Sequence, residues 1–175
     1  MVCEACAFVY TNPRVSEEAY KRVLTNSRSS YFWAKHQETP AVVEFNKQQY
    51  QFFFSLFDGL NQGVYLDIGA STGICLDLAR EKGFATAAIE WNETARDVLR
   101  GKGHKVFCDW DSFGDSKCEW ISFYEVLEHQ HDPKAFLVKV WEALAPGGVV
   151  TLSVPNVNSF ACLLMGEAAN SIDGF

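Results

Sequence analysis

Three acids stand where apolar runs give way to turns: Asp67 in VYLDIGASTG, Glu90 in ATAAIEWN and Asp109 in HKVFCDW. Asp67 comes just before a small-residue turn, Gly69, Ala70, Ser71 and Gly73, in which the glycines allow a ligand close to the backbone. A helix following such a turn would receive a diphosphate at its N-terminus, and a carboxylate beside that point would repel it. The same carboxylate attracts a cationic ligand such as S-adenosylmethionine, with its ammonium and sulfonium, most strongly where water is excluded. Glu90 lies about 20 residues beyond the turn, the spacing at which a strand-end carboxylate accepts from both ribose hydroxyls of an adenosine ligand. Trp91 follows and has two readings, stacking on the adenine or packing in the core. Asp109 would accept from the adenine amine while the amide of Trp110 donates to a ring nitrogen; the competing account is a solvated loop aspartate.

These residues need a frame that brings strand ends together. From Val64 the chain alternates strand and helix: YLDI, a helix near Thr72 to Lys82, ATAAIE, a helix near Glu93 to Gly101, and HKVF. A second unit runs WISFY at Trp120 to Tyr124, then a helix opened by Asp132 and Pro133 with Phe136, Leu137, Val140, Trp141 and Leu144 as its inward stripe. PGG at Pro146 then turns the chain into GVVTLSV. Right-handed crossovers give an α/β fold, a Rossmann-like doubly wound sheet, mostly parallel, of order 3-2-1-4-5. Upstream, Ser16 caps a short helix, and Thr39 with Pro40 opens a second one whose Phe45, Tyr50, Phe53, Phe54 and Phe57 supply a wide apolar face, ended by Gly59 and Gly63. Downstream, FACLLMGEAA is one helical run.

The ordered set of motifs resembles the class I S-adenosylmethionine-dependent methyltransferases, in LDIGASTG, AIEWN, YEVLEHQHDP and LAPGGVVTLSVPN. The resemblance implies S-adenosylmethionine as cofactor, held by Asp67, Gly69, Ala70, Ser71, Gly73, Glu90, Trp91, Asp109 and Trp110, with Tyr124 and Glu125 near its methionine end. On the substrate side it implies the segment from Arg28 to Tyr31, closing over the cofactor, and Asn156. CEACAFVYTNPRVSEEAY looks like the second half of the zinc ribbon of one subgroup, whose members accompany sugar and surface-polysaccharide biosynthesis, which implies a sugar or polysaccharide precursor as methyl acceptor. Two positions depart mildly: Ser71 replaces the family's middle glycine, and Glu119 replaces an aspartate at the start of strand four. The family's sheet also ends in an antiparallel strand pair for which the tail has too few residues, so a chain shortened at both ends is expected. The resulting division is 1–15, a zinc-ribbon remnant; 16–60, N-terminal helices; 61–158, the cofactor domain; and 159–175, a shortened tail.

Two further constellations carry chemistry. In EVLEHQH, Glu125, Glu128 and His129 would hold a divalent ion if they met on one turn; otherwise Glu128 and His129 fix the loop by hydrogen bonds, or His129 serves as a general base. Cys3 and Cys6 have the spacing of half a tetrahedral zinc site, without a second CxxC or an HxxxH, so no structural zinc within one chain is expected. A redox CxxC is disfavoured because the pair does not precede a helix in a βαβ unit.

With 175 residues, 48% of them hydrophobic, the chain buries one sizeable core. A net charge of -7 disfavours a nucleic-acid partner and fits a small-molecule substrate. No membrane-spanning run or leader is read, and scattered Cys75, Cys108, Cys118 and Cys162 suit a reducing compartment, so a cytoplasmic location is expected. The rivals are a nicotinamide-dependent oxidoreductase, weakened by Asp67 and by the lack of GxGxxG, and a non-catalytic cofactor-binding or partner-binding fragment. A sheet edge left open after strand five would favour a fragment or a homodimer.

Overall fold

The computed structural model describes residues 2–5, 13–19, 22 and 39–165. Its elements are α1 (Pro40–Ser55), β1 (Val64–Ile68), α2 (Ile74–Glu81), β2 (Ala85–Ile89), α3 (Glu93–Gly101), β3 (Lys105–Phe107), α4 (Trp110–Phe113), β4 (Cys118–Tyr124), α5 (Pro133–Ala143), β5 (Leu144–Ser153) and α6 (Phe160–Met165). The five strands form one parallel sheet of order β3-β2-β1-β4-β5. Both faces are covered, so the central strands read as near-continuous apolar runs. Successive side chains alternate between two cores. Leu66, Ile68, Ile121 and Phe123 meet Phe113, Phe136 and Val140 on one side. Tyr65 and Trp120 meet Phe54, Leu76, Ala79, Phe84 and Leu99 on the other. Trp120 is wholly buried among the rings of Phe54, Phe57, Tyr65 and Phe84.

The helix starts have visible causes. Asn92 Oδ1 accepts from the Ala95 amide (3.0 Å), and Asp132 Oδ1 from that of Ala135 (2.9 Å), each satisfying a first-turn N–H. Ser16 Oγ accepts from the Ala19 amide (3.2 Å), and the backbone is helical at 17–19. Thr39 precedes α1 without a side-chain cap, and its carbonyl accepts from the Val43 amide.

Several features differ from the sequence expectation: the inward face of α5 is Phe136, Val140 and Ala143, with Leu137 and Trp141 exposed and Leu144 already in β5. Helix α2 begins at Ile74, later than Thr72, because Gly73 sits in the left-handed region (φ 78°) as its cap. A short helix, α4, replaces the loop expected at Asp109, since Asp109 and Ser112 form a reciprocal capping box. PGG lies inside β5: Cys118 pairs with Leu144 but Trp120 with Val149, so the extra residues form a bulge, with Gly147 at φ 77°. The aromatic face of α1 is only partly covered, Phe54 being buried while Phe45 and Phe52 are exposed. Among the described residues β5 pairs with β4 alone, and no helix is long and apolar enough to cross a membrane.

Candidate functional site

Strand order reverses between β1 and β4, and a ligand crevice is expected beyond the carboxyl ends of strands at such a point. A cavity of about 630 Å³ opens there. One wall is the turn after β1, with Asp67, Gly69, Ala70, Ser71 and Thr72, backed by Ile74 and Cys75 of α2. The strand ends contribute Tyr124, Glu125 and Ser153. The opposite wall is α1, through Phe45, Gln49, Tyr50, Phe52 and Phe53 with neighbouring amide side chains.

The turn is held by backbone bonds, and they keep strained residues in place. Gly69 N–H donates to Ile89 (2.8 Å) and Gly73 N–H to Ala70 (2.8 Å). Gly69 adopts φ 75°, and a Cβ there would fall 2.7 Å from Val126 Cγ2, so both conformation and space call for glycine. Ser71 adopts φ 47°, a left-handed conformation unfavourable for a residue with a Cβ, which accounts physically for glycine being the easier occupant. Glu125, at φ 54°, is the second such residue. Its amide donates to the Ser153 carbonyl (3.1 Å) and its Oε1 accepts from Ser153 Oγ (2.7 Å), so β5 holds it in that conformation. Strain of this kind gathers at ligand sites.

Asp67 is buried, its Oδ1 accepting from Ser122 Oγ (2.6 Å). Burial pushes its pKa up to about 7, opposed by the Ser122 hydrogen bond and reinforced by the charge of Glu90. Among the described residues no basic side chain pairs with it. Around it, burial raises the Cys75 thiol well above its ordinary range, with Asp67 adding to the effect, and Cys75 Sγ lies 2.9 Å from Tyr65 Oη. Burial also raises Tyr50 and Tyr124. The Tyr124 ring stacks on Phe53 (5.3 Å between centroids) and contacts Tyr50 (5.0 Å), so α1 seals this end of the cavity with aromatic surface.

Of the expected cofactor residues, Asp67, Gly69, Ala70, Ser71, Tyr124 and Glu125 meet at the cavity, and Gly73 closes the turn behind it. Glu90 supports the turn: its Oε2 accepts from the Ser71 amide (3.0 Å) and Oε1 from that of Asn92 (2.8 Å). Burial raises its pKa, while these backbone N–H groups and Arg96 oppose the rise. Trp91 packs against the core, its carbonyl accepting from Arg96. Asp109 is exposed and caps α4 through Ser112 N–H (2.7 Å), the bond that lowers its pKa. Trp110 packs edge-on against Phe113 and Phe136, its indole Nε1 buried without a hydrogen-bond partner. None of Glu90, Trp91, Asp109 and Trp110 lines the cavity.

His129 also lies off the cavity lining, in a 3-10 turn at Leu127–His129, with Nε2 3.8 Å from Glu128 Oε1. Burial lowers its pKa, Glu125 opposing and Arg14 assisting. Burial pushes Glu128 up to about 7, its own backbone opposing and Glu125 adding to the rise. Arg14 braces this loop by donating to the carbonyls of Gln130 (3.0 Å) and His129 (3.4 Å). Among the described residues no three His, Cys, Asp or Glu side chains converge as a metal-ligand set, so Glu125, Glu128 and His129 do not form the one considered above. Asn156 caps its own turn by accepting from the Asn158 amide (3.0 Å), away from the cavity. Cys6, Arg28 and Tyr31 lie outside the described residues.

Inspection of the sequence for strand-end acids missed Ser122, Cys75, Ser153 and the α1 wall. A signal existed for Ser122: it is a hydroxyl inside an apolar strand, in register with Asp67. The amides of Gln48 and Gln49 among the α1 aromatics were a comparable hint.

A parallel 3-2-1-4-5 sheet with a glycine turn and a buried carboxylate at its switch point defines a Rossmann-like nucleoside-binding domain. Residues 31–172 match the family described as "Methyltransferase domain", and the chain belongs to that family of S-adenosylmethionine-dependent enzymes. It is similar to the ubiquinone biosynthesis O-methyltransferases of Idiomarina loihiensis (26% identical over 157 residues, 84% of this chain and 65% of that protein) and Hydrogenovibrio crunogenus (25% over 154 residues, 82% and 61%). The chain thus spans a little under two thirds of these relatives. Among solved structures, the plantazolicin methyltransferase BpumL in complex with SAH superposes with a TM-score of 0.63 (14% identical, 88% of this chain and 64% of that one). The magnesium protoporphyrin IX methyltransferase ChlM from Synechocystis PCC 6803 with bound SAM gives 0.60 (15%, 77% and 74%). At these identities the structural likeness speaks for the fold.

Proposed function

We propose that the chain binds S-adenosylmethionine in the cavity at the β1 and β4 ends and transfers its methyl group to the oxygen of a small, uncharged acceptor. The observation that carries this is Asp67, a buried carboxylate under the glycine turn with no basic partner among the described residues. Desolvation makes an unpaired carboxylate costly, and a ligand cation would relieve that cost, whereas diphosphate oxygens would add to it. Gly69, Ala70 and Ser71 would hold the ligand through the backbone, Tyr124 and Glu125 would flank its amino-acid end, and the cofactor would supply an electrophilic methyl group. Glu90 would act on the ligand through the turn it supports, its oxygens accepting from the Ser71 and Asn92 amides. Asp109 and Trp110 would contact the adenine only if the ligand reaches beyond the cavity walls.

The charged side chains lining the cavity among the described residues are Asp67 and Glu125, both acidic. This favours an uncharged acceptor over an anionic one. Both curated relatives being O-methyltransferases supports oxygen as the atom methylated. A sugar-type acceptor of the zinc-ribbon subgroup would have to be uncharged to suit the same lining. Direct displacement needs nucleophile, methyl carbon and sulfur nearly in line, and positioning supplies roughly 7 to 11 kcal/mol in favourable cases, so a base such as His129 would be an accessory.

Calorimetry with S-adenosylhomocysteine and with NADH tests the cofactor; micromolar binding of the first and none of the second is expected. Tight NADH binding with indifference to S-adenosylhomocysteine would overturn it. Transfer of labelled methyl to a panel of neutral hydroxyl compounds and their phosphorylated counterparts tests the acceptor, and preference for the phosphorylated set would refute the uncharged class.

A further inference from the structure

We propose that Lys102 is a positioning residue for the cofactor turn, acting through the carbonyl of Thr72; the inference rests on the reading of that turn as the S-adenosylmethionine cradle. Thr72 lies between Ser71 (φ 47°) and Gly73 (φ 78°), both left-handed, and lines the cavity. A carbonyl between two such residues cannot join a regular helix or strand ladder and needs a partner from elsewhere. Lys102, just past the end of α3, supplies it: Nζ donates to Thr72 O (2.6 Å) and to Asp77 Oδ2 (2.7 Å) of α2.

The lysine is itself held at both ends. Its backbone carbonyl accepts from Arg80 Nη1 (2.6 Å), and Arg80 Nη2 donates to Asp77 Oδ1 (2.8 Å). The same Asp77 oxygen lies 3.1 Å from Nε2 of His104, whose side chain is completely buried and whose Nδ1 lies 2.8 Å from Thr86 Oγ1 on β2. Asp77 is therefore anchored by Arg80 and by one nitrogen of a ring whose other nitrogen is held by Thr86, and Asp77 aims the ammonium. An ion pair to Asp77 would be enough to fasten α3 to α2. The additional bond to the turn carbonyl has no such use, and it fixes a strained segment whose shape decides where the Gly69 to Ser71 backbone meets a ligand. Lys102 does not line the cavity, so its action is indirect.

The test is Lys102→Met, which keeps the aliphatic stem, with Lys102→Arg as the conservative variant. Calorimetric affinity for S-adenosylhomocysteine is read beside melting temperature. The expected result is binding about tenfold weaker in Lys102→Met, partly recovered in Lys102→Arg, while both variants stay folded at the assay temperature. Loss of stability with unchanged affinity in the folded protein would show a merely structural lysine and overturn the proposal. If the parent chain binds no S-adenosylhomocysteine, the cofactor reading fails separately. The brace is then judged by hydrogen exchange at the Thr72 and Gly73 amides: faster exchange in Lys102→Met upholds it, and equal exchange overturns it.

Discussion

The two halves of the sheet meet the same demand, an acid at a strand end, in opposite ways. On the β1 and β4 side, Asp67 is buried with Ser122 as its hydrogen-bond donor and faces a cavity closed by Cys75, Tyr124 and α1. On the β2 and β3 side, Glu90 turns its oxygens to the backbone of Ser71 and Asn92, and Asp109 spends one of its own on the cap of α4. The difference lies in competing partners. Where a local N–H is in reach, the carboxylate becomes part of the scaffold; where the neighbours are apolar strands, it stays available to a ligand.

The largest expected effect breaks this contrast at its charged end. Asp67→Asn keeps an acceptor for Ser122 and removes the charge, and is expected to weaken S-adenosylhomocysteine binding by about 100-fold or more, as for removal of one partner of a buried ion pair. Its pH dependence has a definite sign. Folded Asp67 titrates near 7 against 3.8 unfolded, so between those values the folded protein holds a proton that the unfolded chain has released. Stability of the ligand-free protein should therefore fall as pH rises from about 4 to about 7, and Asp67→Asn should lose that component. A cationic ligand favours the ionised form, so affinity should rise as pH climbs through 7 in the parent and stay flat in the variant; a flat parent curve in calorimetry would contradict the assignment.

The next effect sharpens the description of Glu90 as scaffold. Glu90→Ala takes the acceptor from two backbone amides and is expected to cost roughly 2 to 4 kcal/mol of stability in urea unfolding. Unchanged stability together with lost ligand binding would move Glu90 to the ligand side of the comparison. The smallest effect belongs to Asp109→Ala: a slight drop in melting temperature from the lost cap, with S-adenosylhomocysteine affinity held within about twofold. If Asp109→Ala weakens binding as far as Asp67→Asn does, the two halves of the sheet are equivalent and the contrast is void.

Much of the frame was legible because its causes are local. Apolar runs such as YLDI and WISFY, caps such as Asn92 and Asp132, and the glycine turn each announce themselves within a few residues, and parallel strands joined by helices leave few ways to order the sheet. The site was legible where it follows the chain, from Asp67 to Gly73 and at Tyr124 and Glu125. It was not legible at α1, whose Tyr50 and Phe53 look like core residues from their spacing, nor at the bulge in β5, where glycine and proline suggested a turn.

By itself, the order of residues determined the strands, the acids at their ends and the left-handed turn, because backbone conformation and apolar periodicity are set by neighbours in the chain. Only the tertiary structure decided which acid is buried facing the cavity, where a ligand cation would draw out its charge. Burial, the Ser122 hydroxyl 55 positions away and the Lys102 ammonium 30 positions from Thr72 arise from packing between distant segments, and those long-range contacts set both the desolvation of Asp67 and the shape of the turn above it.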